Sequence, residues 1–192
     1  METNNFYEQV YSFENLLLAY KKARKNKSQK PYVIEFEKNL PKNLFSLYTE
    51  LKNETYQPKP LETFIIRDPK TRRISKSDFR DRIVHHAIVN ILEPIYEKVF
   101  TYDSSANRIN KGVLFALTRF DFFKRKVTKN NTRNCFVLKA DIKHYFEEVV
   151  HQILINILQR KINCSKVISL INKILVNYEG GAITKKECLW VI

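Results

Sequence analysis

One five-residue run limits the folds open to this chain. Phe136 to Ala140, FVLKA, is apolar at four of its five positions and bounded by polar residues, the pattern of a strand buried on both faces. A strand cannot stand alone. Either a hairpin elsewhere in the chain joins it, or the remaining strands of its sheet lie beyond residue 192. Directly after the run comes Asp141, and a bare carboxylate at the end of a buried strand is costly unless something pairs with it. Two readings are open. Asp141 caps the helix that follows and meets its positive end, or it is a hard oxygen ligand for a divalent cation such as Mg²⁺.

The other apolar residues fall mostly at helical spacing. Ser12 is placed to cap a helix whose Phe13, Leu16, Leu17, Tyr20 and Ala23 share one face, and KKARKNKSQK at 21–30 then adds six positive charges and no negative one. After Pro41, Leu44, Leu47, Tyr48 and Leu51 form a second face, stopped by YQPKP because proline removes a donor and restricts the residue before it. ETFIIRDPKTRRIS, 62–75, predicts a basic β-hairpin around an Asp-Pro-Lys-Thr turn. From Asp81, Val84, Ala87, Ile88, Ile91, Leu92, Ile95 and Val99 predict a long helix, with Pro94 placing a kink or break near Glu93. Further helices are predicted from Val113 toward Phe123, over Val150–Leu158 and over Val167–Leu175. The layout is α+β, helix-rich, with few strands.

Charge narrows the partners. Lys and Arg outnumber Asp and Glu by 34 to 20, a net +14, which favours a polyanion through phosphate neutralisation; nucleic acid leads and an anionic membrane surface follows. No run approaches the length of a membrane span, and the start METNNFYEQV has no signal-peptide character, so a cytoplasmic location is expected. Cys135, Cys164 and Cys188 lack the spacing of a zinc site or a disulfide framework. His85 and His86 fall within a helical block and read as structural, and His144 and His151 lack a second pair for a metal. The cations Lys70, Arg72 and Arg73 at the hairpin tip, and Arg108 and Lys111 in the loop YDSSANRINKG, suit phosphate contacts and equally suit a solvated surface.

In order along the chain, FIIRDPKTRRI, FRDRIVHHAIVNILEPIYEKVF, YDSSANRINKG, FVLKADIKHYF and HQILINILQRKI resemble blocks of bacterial retroelement-type reverse transcriptases, the group II intron, diversity-generating and retron-related enzymes. The resemblance covers about residues 60 to 178. It implies a partial right-hand polymerase fold, fingers and the first part of the palm, with Phe136–Ala140 as a central palm strand. It also implies roles. Asp141 is similar to the first catalytic aspartate, holding Mg²⁺ (or Mn²⁺ in its place) with the backbone carbonyl of Ile142. Lys70 and Arg72 match the groups on the dNTP triphosphate, and Phe146 matches the aromatic gate that leaves no room for a 2′-hydroxyl. Arg108, Lys111 and Gly112 match a block near template and nucleotide, with Ser105 standing where the family usually has an aromatic.

Two family features are missing: the tandem aspartates of a Tyr-x-Asp-Asp turn, and the Gly-Ile-Pro-x-Gly type of loop before them. The pattern stops after Gly180 and Gly181, which suggests a frameshift or premature stop in an originally longer reading frame. The expected division is a basic helical extension over 1–60 and a truncated reverse transcriptase domain over 61–192, with fingers at 61–134, the start of the palm at 135–180 and an off-pattern tail. The expected function is RNA-directed DNA polymerase by lineage, using RNA template, DNA primer and dNTP. One carboxylate does not hold two metal ions, so this chain itself is expected to be inactive. The alternative is a non-catalytic, maturase-like module that grips intron or other structured RNA.

Overall fold

The computed structural model describes residues 5–69, 71–142 and 149–179. In chain order the elements are α1 (Asn5–Tyr11), α2 (Phe13–Arg24), α3 (Pro31–Glu37), α4 (Leu40–Lys52), β1 (Glu62–Arg67), β2 (Thr71–Lys76), α5 (Phe79–Glu97), α6 (Val113–Val127), α7 (His151–Gln159) and α8 (Ser165–Glu179). They divide into two compact units, one of residues 1–93 with 144–192 and one of residues 94–143. In the larger unit α1 packs against α2, α4 and α8.

In the larger unit the amphipathic patterns fold as their spacing requires. Ser12 caps α2, its Oγ accepting the Asn15 N–H at 3.3 Å. The faces built by Leu16, Ala19 and Ala23 of α2, Leu44, Leu47 and Leu51 of α4, and Ile83, Val84 and Ala87 of α5 are buried. Each such leucine contributes about 1.5–3 kcal/mol by leaving water. A polar tie runs through this core: the Asn15 side-chain amide donates to the carbonyls of Val10 and Ala87, both at 3.0 Å, and Asn15 Oδ1 accepts from Asn90 at 2.8 Å. Helices α1 and α3, each seven residues long, are too short for periodicity to announce. Pro31 begins α3, where its missing N–H removes no helical bond.

The hairpin forms where it is expected, with Phe64 opposite Ile74, Ile65 opposite Arg73 and Ile66 opposite Arg72, and β1 is exposed along its whole length. Pro94 does not end α5, which runs on to Glu97 with the loss of a backbone donor; the boundary between the units nonetheless falls at Glu93 and Pro94.

The central strand expected at Phe136–Ala140 is not formed. Among the described residues the sheet is β1–β2 alone, and residues 135–142 carry no regular secondary structure. Phe136 is 101% exposed and Leu138 92%. A strand needs neighbours for its backbone groups and faces for its side chains, and no described segment supplies either. The α+β class holds through the hairpin, while the palm strand does not. In the smaller unit α6 likewise buries none of its residues, and Val113, Leu114, Leu117 and Phe120 are all more than half exposed. No described helix is long and apolar enough to cross a membrane.

Candidate nucleic-acid interface

The residues expected to carry chemistry are distributed over both units. Asp141 and Ile142 lie in the exposed, irregular end of the smaller unit, with Ile142 67% exposed. Lys70 and Phe146 lie outside the described residues. Arg72 is on β2, in the larger unit. Among the described residues no group of three or more His, Cys, Asp or Glu side chains is placed to hold a metal ion. Mg²⁺ takes several hard oxygen ligands, and among the described residues Asp141 lies on an exposed segment with no further carboxylates grouped about it.

The loop YDSSANRINKG, by contrast, is tightly built. Arg108 donates from Nε to both oxygens of Glu97, at 3.0 and 3.1 Å, and from Nη2 to Oε1 at 2.6 Å. Its Nη1 donates to the carbonyls of Thr101 at 2.7 Å and Ser104 at 2.9 Å. The side chain is 6% exposed and its guanidinium lies 5.5 Å from the Phe100 ring. Those bonds hold the Glu97 carboxyl below its usual range. Arg108 thus fastens the end of α5 to the loop after it.

Lys111 reaches back to the Tyr102 carbonyl at 2.6 Å, with its ammonium 4.2 Å from the Tyr102 ring and 5.2 Å from that of Phe115. Arg119 of α6 pairs with Asp103 and lies about equally near the rings of Tyr102, Phe122 and Phe123. Asn107 and Asn110 adopt φ of 54° and 61°, a left-handed conformation asparagine tolerates better than most residues, and they give the loop its reversals. Gly112 caps α6 at φ −75°, with open space where a Cβ would stand. Arg108, Lys111 and Gly112 therefore fall in one ordered loop. Glu97 at the end of α5 and Arg119 within α6, which complete it, were not singled out in the sequence, because single charged residues on a helix carry no periodic signal.

Arg108→Ala removes every bond that holds this loop to Glu97. At about 1.5–3 kcal/mol for a hydrogen bond to a charged group, we expect amide exchange over residues 98–112 to accelerate at least about tenfold. Arg108→Lys, with one ammonium in place of a planar fork, should restore only part of the protection. Unchanged exchange in the alanine variant would contradict the fastening role.

A second charged centre lies in the larger unit, where α5 begins. Asp81, 1% exposed, accepts from the Tyr56 hydroxyl at 2.8 Å and the Lys59 N–H at 2.9 Å, with Arg80 Nη1 at 3.7 Å. Burial raises the Asp81 carboxyl above its usual range against these partners. Arg80 also pairs with Glu50. One residue on, Arg82 is buried between aromatic rings, and His85 is buried one turn further. His85 is buried on the helical face that its spacing implied, and burial pushes its imidazole down to about 4, with the charges of His86 and Arg82 adding to the effect.

Comparison with known proteins places the chain in a class. It is a relative of group II intron-encoded proteins and intron maturases, and the resemblance to retroelement-type reverse transcriptases carried by the ordered motifs holds on that ground. Protein YkfC of Escherichia coli (strain K12) is 31% identical over 130 residues, 66% of this chain and 33% of that protein. The group II intron-encoded protein LtrA of Lactococcus lactis subsp. cremoris is 30% identical over 128 residues, 65% of this chain and 20% of its own length. Nuclear intron maturase 1, mitochondrial, of Arabidopsis thaliana is 28% identical over 109 residues, 55% of this chain and 14% of its own. No family model matches the chain. The chain spans about a third of the length of YkfC and a fifth or less of the other two.

Proposed function

We propose that this chain acts on RNA: it descends from an RNA-directed DNA polymerase with a partial right-hand fold, and by itself it binds structured, intron-type RNA without polymerising. Its similarity to intron-encoded proteins over about two thirds of its length carries the reading, and the net charge of +14 supports it. In a complete enzyme of this lineage Asp141 and the Ile142 carbonyl would belong to a larger ligand set for Mg²⁺. There Lys70 and Arg72 would face the dNTP triphosphate, Phe146 its sugar, and Arg108, Lys111 and Gly112 the template, with a DNA primer in place. Arg108 would serve the template by shaping its loop, since its donors are already engaged with Glu97, Thr101 and Ser104.

Filter binding with a structured RNA at increasing salt tests the binding half. A steep fall of affinity with salt, reflecting several phosphates neutralised, is the expected result; no measurable binding at low salt would remove the proposal. Primer extension on poly(rA) with oligo(dT) and Mg²⁺ tests the other half. No extension is expected, and robust synthesis abolished by Asp141→Ala would show that the chain carries a working site.

A further inference from the structure

Arg82 combines burial, charge and unmet hydrogen-bonding capacity. It is 7% exposed and its guanidinium lies 4.8 Å from the Tyr32 ring and 5.4 Å from that of Phe79, yet Nε and Nη2 have no hydrogen-bond partner among the described residues. Those two atoms form one edge of the guanidinium. Their parallel N–H groups match the paired oxygens of a carboxylate or phosphate, the bidentate geometry that arginine offers and lysine does not. One helical turn along α5, His85 is 6% exposed and its Nδ1 is also without a partner among the described residues. The Tyr32 and Phe79 rings offer π faces to the guanidinium, and the Tyr32 hydroxyl is not a hydrogen-bond partner of these atoms.

The surrounding field is positive. Arg82 acts on both His85 and His86, and Lys22 and Lys27 act on His86. Lys76 lies 4.8 Å from the Tyr32 ring, and the carboxylate it meets, Glu62 at 2.9 Å, is its own partner. Asp81, the acid beside Arg82 in sequence, is committed to Tyr56 and Lys59. A multivalent oxyanion fits such a setting better than a single carboxylate, because it can accept from the guanidinium edge and the imidazole together.

We propose that Arg82 and His85 form a seat for a phosphate group, covered by the half-buried Tyr32 ring, which turns aside when the group enters. The phosphate comes either from an RNA backbone or from a small free anion. The seat does not depend on the intron-RNA reading, since inorganic phosphate alone is enough to fill it.

The test uses the full chain labelled with ¹⁵N-histidine. It is titrated with inorganic phosphate at constant ionic strength set by chloride and, separately, with a short single-stranded RNA, while the His85 ring nitrogens are followed. A saturable His85 shift is expected, and Arg82→Gln should weaken it at least about tenfold, the loss of one charge-assisted bidentate contact. Response to inorganic phosphate alone assigns a small anion, and response to RNA alone assigns a backbone phosphate. If His85 behaves as in chloride at saturating levels of both, or Arg82→Gln responds like wild type, ordered water fills these bonds and the seat does not exist. Should Arg82→Gln fail to fold, Tyr32→Ala, which removes the cover and keeps both donors, is expected to strengthen the response; an unaltered response would overturn the proposal. Filter binding to structured RNA reports on the RNA-binding reading separately, so failure of one does not imply failure of the other.

Discussion

Asp81→Ala should be the most damaging single substitution in the larger unit, costing about 3–5 kcal/mol. The carboxylate is 1% exposed and the Tyr56 hydroxyl that donates to it is on a side chain equally buried. Truncation leaves that hydroxyl and the Lys59 N–H without their acceptor, and an unmet buried donor suffers its full desolvation penalty. Against a typical total of about 5–15 kcal/mol, that is a large share of the margin. Urea denaturation followed by circular dichroism measures the change. Asp141→Ala is the informative contrast: the residue is exposed, and we expect a change within about 0.5 kcal/mol. Equal effects from the two substitutions would contradict the assignment of Asp81 as the structural acid.

Acid should unfold this chain through His85. Burial pushes its imidazole down to about 4 in the folded chain, from an ordinary value of 6.5. Above the unfolded value both states are neutral and the full stability is present. As pH falls from 6.5 toward 4 the unfolded chain takes up a proton that the folded chain refuses, so stability drops by about 3 kcal/mol across that window. Asp81 works in the opposite sense, because its raised carboxyl makes the folded state more favourable as that group is protonated. The comparison that isolates His85 is therefore between wild type and His85→Leu over the same pH range. The variant should lose the downward slope contributed by the imidazole. An identical slope in both proteins would mean that His85 is protonated in the folded state as readily as in water.

Much of the helical layer could be read directly. The faces of α2, α4, α7 and α8 repeat apolar residues over two or more turns, and the hairpin has turn chemistry between two β-prone segments. Local rules suffice for such elements. The Phe136–Ala140 run failed as a strand for a reason that no local rule captures: its pattern specifies a buried environment, and burial depends on partners distant in sequence. The site was legible in the same uneven way. Motif order pointed to relatives among intron-encoded proteins, yet it did not disclose that Arg108 spends its donors on Glu97 and two carbonyls, or that Arg82 is buried without an acceptor. Both facts depend on where side chains from separate turns come together. Sequence spacing constrains such meetings only within one helix.

The bare segment from Phe136 to Leu138 bears on how this part of the chain is maintained. Within the described molecule nothing rewards phenylalanine, valine or leucine at those positions, since each lies largely in water and its backbone belongs to no sheet. Stability would tolerate serine or lysine there, and solubility would favour them. If natural variants of this chain keep those residues apolar, the selecting pressure comes from a surface outside the described residues; if they drift toward polar types, the segment has been released from its former constraint.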